Sequence, residues 1–83
     1  MPYIPREDRP RLVPPVLALS EHMTKAELCY TVATLMRMYA QYNRGWHGMS
    51  DAISAVECAK LDFYAMVVQP YEEQKKKANG DVP

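Results

Sequence analysis

Lys60, Tyr64, Tyr71 and Lys75 recur at helical spacing in the C-terminal part of the chain. Tyrosine offers a flat ring and a hydroxyl, and lysine a compact charge that seeks phosphate. Together they suit a nucleotide, with rings against the base and ammonium groups on phosphate oxygens. Arg6, Arg9 and Arg11 add guanidinium groups that can hold phosphate oxygens two at a time. Tyr3 supplies a further ring. The expected ligand set is therefore Tyr3, Arg6, Arg9, Lys60, Tyr64 and Tyr71, for a phosphate-bearing small molecule. Plainer roles compete with this one. The tyrosines can pack on the N-terminal segment while the lysines snorkel to water. The arginines can pair with Glu7, Asp8 or acids on the helices. Glu72 and Glu73 stand four residues before Lys76 and Lys77, which is ordinary helix stabilisation on a solvated face.

Nothing comparable points to catalysis. His22 and His47 lie far apart, and neither has a cysteine pair or glutamate at metal-ligand spacing. No metal and no cofactor is expected. Cys58 follows Glu57 but has no histidine near it in sequence, so it reads as a packed thiol. Glycine occurs only at 45, 48 and 80, which leaves no phosphate-cradling loop. The chain is expected to act without being an enzyme.

These residues need elements to carry them. The periodicity predicts an all-α chain: a helical hairpin of two long helices, a short N-terminal helix and an extended proline-rich arm. Residues 1–83 are read as a single helical domain. The arm covers residues 1–11, where Pro2, Pro5 and Pro10 restrict the backbone and Tyr3 and Ile4 offer apolar surface. A short helix over 15–23 follows Pro14-Pro15. Thr24-Lys25-Ala26-Glu27 has the capping-box pattern and opens a helix over 24–43. Leu28, Cys29, Val32, Leu35, Met36 and Tyr39 make its apolar stripe. Gly45 is available as its left-handed cap.

Residues 43–49 read as a loop in which Trp46 stands between glycines, either an interface anchor or a lid on the hairpin. Ser50 then caps a helix over 50–78, kinked near Pro70 and ended by Asn79-Gly80. Ala52, Val56, Ala59, Phe63, Met66 and Val67 form its main stripe. Ile53, Tyr64, Val68 and Tyr71 form a second apolar face about 100° away. One neighbouring helix covers only one such face. A chain of 83 residues buries only about 60% of its surface on folding. Assembly as a homo-oligomer through the second face, including Ile53 and Val68, is therefore expected.

Composition narrows the setting. The formal net charge is zero, from 10 basic and 10 acidic residues, which argues against general nucleic-acid binding. No apolar run approaches the roughly 18 residues of a membrane span, so no membrane partner is expected. Cys29 and Cys58, with no signal-peptide pattern, fit reduced thiols in the cytoplasm.

The chain resembles a family of short phage and bacterial proteins of uncharacterised function. The resemblance rests on the opening Met1 to Arg9, on Glu27-Leu28-Cys29-Tyr30, on Glu57-Cys58-Ala59-Lys60-Leu61-Asp62-Phe63-Tyr64, on Pro70-Tyr71-Glu72 and on Asn79 to Val82. The Trp46–His47 loop lies outside it, and Pro83 stands where the family ends in tyrosine. The resemblance implies a phage setting and no chemistry. Two functions follow as expectations. One is a non-enzymatic sponge in the host cytoplasm, which sequesters a nucleotide-type immune signal (a cyclic nucleotide or an ADP-ribose derivative) against anti-phage defence. The other is a small helical protein-interaction module that binds a host or phage protein.

Overall fold

The computed structural model describes residues 4–80. Among these residues every regular element is helical. The α-helices are α1 (Val13–Ser20), α2 (Lys25–Tyr42), α3 (Trp46–Phe63) and α4 (Gln69–Asn79). A 3-10 turn at Arg6–Asp8 precedes α1, and a π turn at Tyr64–Val68 joins α3 to α4. The chain divides into two compact units, Met1–Met49 and Ser50–Pro83, which are described in turn. Helix α2 lies in the first unit, and all but the first turn of α3 in the second.

In the first unit the described part of the arm is extended only at residues 4–5. From there it winds. The Asp8 N–H donates to the Pro5 carbonyl at 3.0 Å and the Arg9 N–H to the Arg6 carbonyl at 3.2 Å. Pro10 then occupies the second place of a turn closed by the Leu12 N–H on the Arg9 carbonyl at 2.9 Å, where its fixed φ fits. The expectation of an extended segment through residue 11 is corrected accordingly. Prolines limit φ, but residues 6–9 keep their N–H donors, and those donors close turns. Helix α1 starts two residues earlier than expected, at Val13, with Pro14 and Pro15 inside its first turn, where no intrahelical N–H is needed.

His22 stops the chain from running straight from α1 into α2. It has φ +58, a left-handed conformation that side chains other than glycine adopt at a cost. Thr24 then caps α2. The Glu27 N–H donates to Thr24 Oγ1 at 3.1 Å, and the Thr24 N–H donates to Glu27 Oε1 at 2.9 Å. The Thr24 N–H on the carboxylate, and after it the Thr24 hydroxyl, hold the Glu27 carboxyl below its ordinary value, against an opposing effect of desolvation. Asn43 closes the far end, with its N–H and its Nδ2 both donating to the Tyr39 carbonyl.

The loop expected over residues 43–49 is only residues 43–45, and α3 starts at Trp46 rather than at Ser50. Two glycines allow this. Gly45 takes φ +94. Gly48, buried in the first turn of α3, lies so close to Asn43 that a Cβ there would overlap the Asn43 carbonyl oxygen. Ser50 is consequently a half-buried residue inside the helix. Glycine is a poor helix former, which is why Gly48 reads as loop in the sequence.

In the second unit the interruption expected at Pro70 takes the form of the π turn. Proline has no N–H and its ring crowds the carbonyl four residues back. The ladder shifts by one residue ahead of it, and the Gln69 N–H donates to the Tyr64 carbonyl. Gly80 ends α4 with φ +84.

Candidate functional site

Helix α3, the π turn and α4 carry three of the six expected ligand residues, and each is engaged by a neighbour on its own helix. Lys60 Nζ lies 3.1 Å from Glu57 Oε1, with both side chains mostly exposed. The Tyr64 hydroxyl stands 3.3 Å from each carboxylate oxygen of Glu72. Lys75 Nζ sits over the Tyr71 ring, 5.6 Å from its centroid.

The Tyr64–Glu72 contact is a consequence of the π turn. Eight residues apart in an unbroken α-helix, the two would point about 80° apart. A wider turn holds back the rotation and stacks them on one side. Proline at 70 signals a disturbance in the sequence, but no pattern of residue types reports which side chains the disturbance aligns.

The other expected ligand residues belong to the first unit. Arg6 lies in the 3-10 turn, and Arg9 Nε donates to the Ile4 carbonyl at 3.2 Å. Tyr3 lies outside the described residues. Among the described residues there is no group of three or more His, Cys, Asp or Glu side chains placed to hold a metal ion, and no helix is long and apolar enough to cross a membrane. Cys29 and Cys58 are free thiols.

What the helices show most is uncovered apolar surface. Ala52 is the buried hydrophobic side chain of the described chain, at 6% exposure. Ile53 and Phe63 are each 59% exposed, Val67 52% and Tyr71 60%. Trp46, expected as a loop residue, is the first residue of α3 and is also exposed. Both apolar faces expected on the third helix exist as surface. The main one is buried only at Ala52 and half-buried at Val56. Leu28, Leu35 and Tyr39 of the α2 stripe are exposed as well, while Val32 and Met36 are half-buried.

A family model described as Domain of unknown function (DUF6899) matches residues 1–82. The chain belongs to this family. No curated protein and no solved structure matches it. For this DUF6899 chain the residues themselves therefore carry the functional argument.

Proposed function

We propose that this chain is a small, non-enzymatic helical protein-interaction module whose partner covers the apolar side of α3, the π turn and α4. The observation that carries this reading is the exposure of Phe63, Tyr64, Val67 and Tyr71 together. Fully burying one such side chain contributes about 1.5–3 kcal/mol, so a surface of this kind is a binding surface in waiting.

The second reading is the cytoplasmic sponge for a nucleotide-type signal, in a phage setting. It draws on the presence of Lys60, Tyr64 and Tyr71, all exposed, on one helix of the second unit. A photo-crosslinking residue at position 66, introduced into the chain in cells, separates the two. The interaction reading expects a discrete protein adduct that Val67→Glu abolishes. No adduct, together with a nucleotide recovered intact after denaturation, overturns it in favour of the sponge. In that case the nucleotide at 100 times its dissociation constant adds about 2.7 kcal/mol of stability.

A further inference from the structure

We infer that the partner on this surface is a second copy of the chain, packed antiparallel about a two-fold axis at Met66; the inference rests on the interaction-module reading. The ground is a palindrome in one helix stripe. Glu57, Lys60, Tyr64, Val68, Glu72 and Lys75 follow one another at steps of three, four, four, four and three residues. In an α-helix a step of four advances about 40° and a step of three falls back about 60°, so the stripe returns on itself and keeps to one side. The π turn at Tyr64–Val68 draws Tyr64 and Glu72 together on that side. Contacts within the chain confirm the shared side: Glu57 with Lys60, and Tyr64 with Glu72.

The pattern is a palindrome in position and opposite in charge. Moving out from Met66 toward the N-terminus the stripe meets Tyr64, then Lys60, then Glu57. Moving toward the C-terminus it meets Val68, then Glu72, then Lys75. Turned end for end, a second copy sets its Glu72 against Lys60 and its Lys75 against Glu57. The two-fold repeats both pairs. Apolar Tyr64 and Val68 meet in the middle, flanked by Phe63 and Val67, so an apolar centre is rimmed by charge. A parallel copy would instead set lysine on lysine and glutamate on glutamate. A face that is its own complement only when reversed is what an isologous contact requires. A foreign helix would need no such symmetry.

Charge reversal tests this on the full chain, with circular dichroism to confirm that every variant keeps its helix content. Analytical ultracentrifugation of the natural protein at tens of micromolar should return twice the 9.5 kDa chain mass. Lys60→Glu alone, or Glu72→Lys alone, should weaken the homodimer by tenfold or more, because each turns two attractive pairs repulsive. The double variant Lys60→Glu/Glu72→Lys should recover dimerisation to within about threefold, since exposed pairs of this kind are modest and interchangeable. Mixing the two single variants should yield a one-to-one heterodimer. Singles that dimerise as well as the natural chain would overturn the antiparallel arrangement. A monomer that nonetheless gives a crosslinked adduct with another protein would overturn the second copy and leave the interaction-module reading standing.

Discussion

The first unit and the second make their helices in different ways. In the first, backbone geometry and caps do the work: the left-handed His22, the reciprocal bonds of Thr24 and Glu27, the doubly satisfied Tyr39 carbonyl and the close approach of Gly48 to Asn43. In the second, one ladder runs through α3, the π turn and α4, with the π turn ahead of Pro70 as its one interruption, and large apolar side chains face outward in both units. Local signals specify where helices start and stop. They do nothing to cover apolar surface, and that is left to a partner.

The sharpest way to break this comparison is at the glycine. Gly48→Ala should cost about 3 kcal/mol or more, because the new methyl group meets backbone rather than a side chain that can move aside. Phe63→Ala should cost about 0.5 kcal/mol or less at concentrations where the chain is monomeric, since the ring is exposed there. Urea melts of both variants at nanomolar protein check the pair. Equal losses would mean that the two regions are held alike.

The cap comes next in size. Thr24→Ala should lose about 1 kcal/mol. Glu27 adds a pH dependence of known sign. Its folded value lies below the ordinary 4.5, so its stabilisation is complete above that value and drains away as pH falls through the lowered one. Glu27→Gln should flatten this part of the curve when melting is followed from pH 7 to pH 3. A variant with an unchanged acid limb would remove the capping box from the account of the first unit.

The smallest effect belongs to His22. Glycine there relieves the left-handed strain but frees the unfolded chain, so His22→Gly should raise Tm by a few degrees at most. His22→Val should lower it by more, because a β-branched side chain tolerates positive φ least.

Much of this was legible in the residues. Thr24-x-x-Glu27 announced its cap, and the stripes of α2 and α3 announced helices. Ser50 misled because it is a good cap residue, while the glycines that allow an earlier start look like loop. The arm misled because proline marks restricted φ and says nothing of the free N–H groups between prolines. Lys60, Tyr64 and Tyr71 were recognisable as chemistry-bearing residues, but their partners were less so. The Glu57–Lys60 spacing of three is an ordinary helix pair. The Tyr64–Glu72 spacing of eight becomes a contact only once the winding of the helix changes.

That change of winding sets stability and surface against each other. Pro70→Ala restores a donor to the ladder and lets the π turn tighten into an ordinary one. The helix gains by it, yet everything beyond Val68 swings round by about a quarter turn relative to α3. Glu72 leaves the side of Tyr64, and the contact between them is lost. A substitution that looks like a repair would turn Glu72 and Lys75 together against Lys60 and Glu57, and a sturdier helix would be a poorer partner.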